Sequence, residues 1–131
     1  MPKIRSFRGI RYNPGVVDIN IALCPPYDMI TQQQVEEYYN KSPYNAVRLV
    51  LGKQYPKDTK DNNRYTRARD LFKQWLQKGI LIQDKKPSLY YHEHSYTIGD
   101  KTYTRRGIIA SVRFDDTDKK NIQPHEHTVK S

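Results

Sequence analysis

The sequence predicts an α+β fold: a mixed β-sheet with a central hairpin and two helices packed on one face. Three observations carry it. Two segments place apolar residues at helical spacing behind a capping residue, around Val35 and around Trp75. Two strand-like arms flank Gly99-Asp100 and read as a hairpin. A third apolar run, Ala46 to Leu51, is closed by Gly52 and rich in β-formers.

Taken in order, residues 4 to 24 hold short apolar groups broken by Gly9, Asn13-Pro14-Gly15 and Asn20, which predicts a short strand, a turn and an extended segment. Cys24-Pro25-Pro26-Tyr27-Asp28 is then a rigid corner, because each proline disfavours helix in the residue before it. Thr31 and Gln34 form a capping box, and Val35, Tyr38 and Tyr39 follow at helical spacing, so a helix is predicted over residues 32 to 40. Ser42-Pro43-Tyr44-Asn45 ends it. Ala46-Val47-Arg48-Leu49-Val50-Leu51 is nearly continuously apolar and predicts a buried central strand, with Arg48 as its exception. Lys53 to Asn62 reads as a polar, mobile loop. Asn62 or Asn63 caps a second helix in which Tyr65, Ala68, Leu71, Phe72, Trp75 and Leu76 share one face, and Gly79 stops it. Ser88 to Thr97 and Lys101 to Phe114 form the hairpin, followed by the charged turn Asp115 to Lys120.

A chain of 131 residues is expected to form a single domain that buries about two-thirds of its unfolded surface. Its 11 tyrosines against 3 phenylalanines give it amphipathic aromatics, suited to half-buried faces and cleft linings. The net charge of +9 fits a partner that is nucleic acid, a phosphorylated ligand or an acidic surface; it equally fits a part of a longer protein whose acids lie elsewhere. One cysteine, Cys24, excludes an internal disulfide framework and fits a reducing compartment. No apolar run approaches the roughly 18 residues of a membrane span, and no signal-like segment follows Met1, so a cytoplasmic location and no membrane partner are expected.

Two constellations could carry chemistry. Pro124-His125-Glu126-His127-Thr128 places imidazole and carboxylate side by side after a charged turn; His125 and Glu126 could act as an acid–base pair, with Thr128 as a helix cap or phosphate ligand. The same residues also fit a polar loop capping a further helix. Only three residues follow, and the segment reads as the edge of a site completed by sequence beyond it. The second constellation is arginine: Arg8 and Arg11 around Gly9, Arg48 in its apolar run, and Arg105-Arg106 before Gly107. A guanidinium offers a planar fork matched to carboxylate and phosphate, though internal ion pairs to Asp18 or Asp28 are the plainer use. His92 and His94 would share a strand face, but no helical HExxH pattern exists and no metal site is assigned. No Walker-type glycine loop is present, so a nucleotide would have to be held by arginines, the Pro124 to Thr128 turn and a helix start after it.

Phe7-Arg8-Gly9-Ile10-Arg11-Tyr12, Pro25-Pro26-Tyr27-Asp28, Ser42-Pro43-Tyr44-Asn45-Ala46-Val47-Arg48-Leu49, Asn63-Arg64-Tyr65, Thr102-Tyr103-Thr104-Arg105-Arg106-Gly107 and Pro124-His125-Glu126 with Thr128 span the chain. In these the sequence resembles the N-terminal part of a widespread prokaryotic family, domain of unknown function 1015. The resemblance implies a fragment of a longer protein with no established activity or cofactor. It also implies an association of some members with serine metabolism and a loose likeness to ParB-like nucleotide-binding folds that include serine kinases. Residues and resemblance together give two readings. The first is an enzyme domain acting on a small anionic ligand or nucleotide, phosphotransferase-like. Its catalytic candidates are His125 and Glu126, and its ligand-binding candidates are Arg11, Asp28, Asn45, Arg48, Arg105 and Thr128. The second is a non-catalytic nucleic-acid-binding or regulatory module, for which Tyr103-Thr104-Arg105-Arg106 interleaves aromatic and basic residues. In the first reading the Pro25, Ser42 and Pro124 segments converge on one cleft.

Overall fold

The computed structural model describes residues 3 to 113. Along the chain run strands β1 (Lys3–Arg5) and β2 (Ile10–Tyr12), helix α1 (Ile19–Ala22), a 3-10 turn at Tyr27–Met29, and helices α2 (Gln32–Lys41), α3 (Val47–Val50) and α4 (Arg64–Gln77). Strands β3 (Leu81–Gln83), β4 (Tyr90–Ile98), β5 (Lys101–Ile109) and β6 (Ser111–Arg113) follow. The class is α+β. Among the described residues the strands form separate antiparallel pairs, β1 with β6, β2 with β3 and β4 with β5, rather than one mixed sheet. The described residues divide into two compact units, residues 10 to 83 and residues 3 to 9 with 84 to 113.

The unit of residues 10 to 83 holds the main core. Trp75 is 2% exposed and packs with Val17, Ala22, Ile80 and Leu81, while Tyr12, Tyr44, Leu71 and Phe72 close around it. Tyr12 and Tyr44 each set a ring 6.0 Å from the Trp75 ring, the first tilted and the second edge-on, within the range at which aromatic pairs attract. The Tyr12 hydroxyl donates to the Tyr44 carbonyl at 2.8 Å, so the polar tip of this half-buried ring is satisfied. Both long helices start as the sequence predicts. Thr31 Oγ1 accepts from Gln34 N while Gln34 Oε1 accepts from Thr31 N, and Asn63 and Thr66 make the equivalent reciprocal pair for α4. Gly79 ends α4 at φ +69°, a left-handed conformation that costs glycine nothing. Asn13 turns the chain at Pro14-Gly15, its side chain accepting from Gly15 N at 3.0 Å.

Three expectations are corrected. Ala46 to Leu51 is not a strand: Val47–Val50 forms α3, which packs against both α2 and α4. Its β-branched run is overridden at the start of the segment, where Ser42 Oγ accepts from Tyr44 N and Asn45 Oδ1 accepts from Val47 N. These two side-chain turns bend the backbone into helical hydrogen bonding from Ala46 onward. The hairpin is present over Tyr90–Ile98 and Lys101–Ile109, while Ser111–Arg113 leaves it to pair with β1, and it is not the centre of a sheet. Its β4 and β5 pair over nine residues as a two-stranded ribbon, β5 is exposed throughout, and no third strand joins them among the described residues. The turn at Gly99-Asp100 has φ +62° at glycine and no positive φ at aspartate, the pattern of a type II′ turn. Nor is the 53 to 62 loop loose: Arg67 grips Asp58 with both terminal nitrogens and also reaches the Lys53 carbonyl.

In the other unit, Phe7 bridges to Ser88 and its ring lies 5.1 Å from that of Tyr90. The Tyr90 hydroxyl accepts from Gly9 N and donates to Asp84, each at 2.7 Å. A β-carbon at position 9 would stand 2.6 Å from that oxygen, so this approach requires glycine.

Replacing Trp75 with alanine should lower unfolding free energy by about 3 kcal/mol or more, the scale of large-to-small core changes. A denaturant-midpoint shift equivalent to under about 1 kcal/mol would show that this core does not hold the unit together. The half-buried phenol of Tyr12 is pushed up to about 12, first by desolvation and second by the neighbouring Cys24 thiolate. Because the folded value lies above the unfolded one, the stability it confers is complete below about pH 10 and is lost as pH rises toward 12. Alkaline unfolding should therefore be shallower for Tyr12→Phe than for the parent between those pH values; superimposable profiles would show that the phenol does not drive it.

Candidate functional site

The larger unit carries a groove beside α3 and the start of α4. One chamber, of about 220 Å³, is lined by Tyr39, Arg48, Lys53, Tyr55, Arg67 and Leu71, together with Gly52 and Arg64. Four of its lining residues are basic, and each cation lies on a tyrosine face. Arg48 is 4.1 Å and Lys53 4.5 Å from the Tyr39 ring, Arg67 is 4.8 Å from Tyr55, and Arg64 is 4.8 Å from Tyr65. Stacking holds long flexible cations in place without consuming their charge.

The charges are unequally compensated. Lys53 pairs with Glu36, and Arg67 makes a two-pronged pair with Asp58 at 2.7 and 2.9 Å. Hydrogen bonding from Arg67 holds the Asp58 carboxyl below its ordinary range, and the same bond raises Arg67 further. Arg48 donates instead to the carbonyls of Tyr39, at 2.7 Å, and Ser42, at 3.4 Å, where it caps the C-terminal end of α2. Arg64 donates to the Tyr65 hydroxyl at 2.7 Å. Neither Arg48 nor Arg64 has a carboxylate partner among the described residues. A guanidinium has five N–H donors, so both keep donors beyond these bonds.

The sequence candidates divide sharply. Arg48 lies in the groove. Its expected internal partner, Asp18 or Asp28, is replaced by backbone carbonyls. Asn45 is fully buried, and its side chain is spent within the protein: Nδ2 donates to the carbonyls of Ile21 at 2.8 Å and Leu23 at 3.0 Å, while Oδ1 accepts from Val47 N at 3.0 Å. It joins the segment before Pro25 to the start of α3. Asp28 is exposed in the 3-10 turn, whose Tyr27 reaches the groove. Arg11 sits on β2 opposite Ile82. Arg105 belongs to the other unit, exposed on β5 opposite His94. His125, Glu126 and Thr128 lie outside the described residues. Of the three segments expected to meet, the first brings Tyr27 and the second Arg48 and Leu49 to the linings of neighbouring cavities, while Asp28 and Asn45 line neither and the third lies outside the described residues.

Sequence reasoning missed Lys53, Arg64, Arg67 and the tyrosines beneath them as a group. The legible signal was the interleaving of Tyr39, Tyr55 and Tyr65 with Arg48, Lys53, Arg64 and Arg67, and the one-turn spacing of Arg64 and Arg67 on a capped helix.

The ribbon in the other unit presents a different surface. One face carries His92, His94, Tyr96 and Tyr103 in succession, with ring separations of 6.3, 5.7 and 5.7 Å. The other carries Tyr91, whose hydroxyl donates to Glu93 at 2.6 Å, and Arg106, which donates to the same carboxylate at 3.1 Å. No group of three or more metal-ligating side chains stands together among the described residues. No helix there is long and apolar enough to cross a membrane.

The model of one protein family matches residues 4–131, and its description is a protein of unknown function, DUF1015. With nearly the whole sequence matched, the chain belongs to that family. No curated protein matches it, and no solved structure matches it.

Asn45→Ala should cost roughly 2 kcal/mol or more, because the carbonyls of Ile21 and Leu23 would be left without their donor in a buried place. Chemical denaturation checks this; a loss under about 0.5 kcal/mol would mean that water replaces the amide at no cost.

Proposed function

We infer that the unit of residues 10 to 83 is a binding domain for a small anion, a phosphate or carboxylate compound, held in the groove beside α3 and α4. The observation that carries this reading is the pair Arg48 and Arg64: two guanidinium groups on one cleft, each without a carboxylate partner among the described residues. Lys53 and Arg67 add positive potential, offset in part by Glu36 and Asp58. Charge-assisted hydrogen bonds from arginine to an oxyanion are strong and two-pronged, and the tyrosine faces pre-order the donors so that little freedom is lost on binding.

In its fuller form the reading is a phosphotransferase-like enzyme domain. The groove would hold the phosphate, with Arg11 and Asp28 as the further ligand candidates of the same unit; His125 and Glu126 remain a candidate acid–base pair, and Arg105 and Thr128 candidate ligands, of the sequence outside that unit. That form rests on the residue types alone. The nucleic-acid reading draws on the His92 to Tyr103 aromatic row with Lys101 and Arg105 nearby, but Arg106 is already held by Glu93, which leaves a thin basic surface for a phosphate backbone.

Calorimetric titration of the chain with inorganic phosphate or pyrophosphate should show saturable binding. Arg64→Gln should weaken it by about tenfold or more, the equivalent of one charge-assisted hydrogen bond. Arg64 serves this test better than Arg48, which also caps α2. Binding that is absent, or indifferent to Arg64→Gln, would remove the anion-site reading.

A further inference from the structure

The groove does not end at the cationic chamber. Past Gly52 and Arg64, which line both sides, it opens into a second chamber of about 310 Å³ walled by Tyr27, Leu49, Val50, Leu51, Tyr65 and Ala68. Apart from the shared arginine, this lining carries no charge. Several of its apolar walls stand in water: Val50 is 52% exposed, Tyr27 64% and Tyr65 69%. A charged chamber thus adjoins an apolar one, and together they reach the size of small-molecule sites, roughly 300 to 1,000 Å³.

Resting on the anion-binding reading above, we propose that the ligand is a phosphate monoester whose phosphate occupies the Arg48–Lys53–Arg67 chamber and whose flat aromatic group occupies the Tyr27–Leu49–Ala68 chamber. The Arg64 guanidinium is the hinge of this arrangement, because it borders both chambers and lies over the Tyr65 ring at 4.8 Å. A planar cation of that kind can donate to a phosphate at its edge while its face receives a ring. Gly52 lines both chambers. A β-carbon added there would stand 3.5 Å from the Arg48 carbonyl and from Arg64 Cβ, at the junction of the two chambers. An inorganic anion would fill the first chamber and leave the apolar walls wet; an aryl or purine group would cover Tyr27, Val50 and Tyr65 and gain the burial.

The test compares inorganic phosphate, adenosine 5′-monophosphate and adenosine as titrants of the chain. The monophosphate should bind about tenfold or more tighter than inorganic phosphate, the scale of one base–aromatic stacking contact, and adenosine should bind more weakly than the monophosphate. Ala68→Leu, which fills the apolar chamber from α4, should abolish that advantage while leaving the affinity for inorganic phosphate in place. Val50→Ser, at an exposed position, should reduce it without threatening the fold. If inorganic phosphate binds but the monophosphate gains nothing over it, or if the gain survives both substitutions, the two-chamber ligand is wrong while the anion site stands. If inorganic phosphate itself fails to bind, the anion site falls first and this inference with it.

Discussion

One buried amide holds the larger unit in its arrangement. Asn45 receives no water, and each of its polar atoms is matched to a backbone group: two carbonyls from the chain leaving α1 and the amide that opens α3. The backbone adds a bond of its own, Ala46 N to the Ala22 carbonyl at 2.7 Å. A buried polar side chain with every group paired specifies geometry more sharply than an apolar one, because any shift leaves an unpaired group in a dry place. What it specifies here is the direction of α3. That helix is only four residues long and too short to be stable on its own. Its placement fixes Arg48 against the end of α2 and turns Leu49 and Val50 toward the groove.

From that constraint the electrostatics of the groove follow. An arginine in a short apolar helix must find partners, and Arg48 finds them in carbonyls that α2 leaves unsatisfied at its C-terminal end. Carbonyl partners stabilise the cation without cancelling its charge, unlike the carboxylate that Arg67 meets in Asp58. The groove therefore holds cations of two kinds. Arg67 and Lys53 are neutralised and brace the loop between Gly52 and Asn63, whereas Arg48 and Arg64 retain their field. A ligand would add its charge to the second kind and disturb the first little.

The readable part of the sequence was the part in which local signals agree with tertiary demand. Thr31 with Gln34, and Asn63 with Thr66, mark their helices because a capping box acts within one turn of chain. Gly79 and Gly99 mark their turns because positive φ is a property of the residue. Ala46 to Leu51 misled because its β-branched residues report on half-buried packing, which a helix lodged between two others can also offer. The Asn45 turn that decides the matter is visible in the sequence only as one polar residue after Ser42-Pro43-Tyr44. Of the site, Arg48 was legible as an arginine in an apolar run. Asn45 was legible as important but not as structural, since burial and partners lie beyond sequence reach. Arg64, Lys53 and Arg67 come together only because the 53 to 62 loop folds back on α4, a contact made by Arg67 with Asp58.

The hairpin shows the opposite balance. Alternation along both arms is real, but alternation predicts a buried face only when something covers it, and both faces of this ribbon are largely exposed. Among the described residues no third strand joins this ribbon, and a two-stranded ribbon is marginal in water, so its cross-strand pairs matter more than they would inside a sheet. The pairs are well chosen. Tyr96 stacks on Tyr103, Glu93 meets Arg106, and threonine or serine hydroxyls bond across the strands at Ser95–Thr104 and Thr97–Thr102. The II′ turn adds the right-handed twist that such a ribbon favours. Polar and aromatic pairing thus helps these exposed strands hold register. The same composition made them resemble the centre of a sheet, because tyrosine, threonine and isoleucine suit a ribbon in water for the reasons that they suit a buried strand.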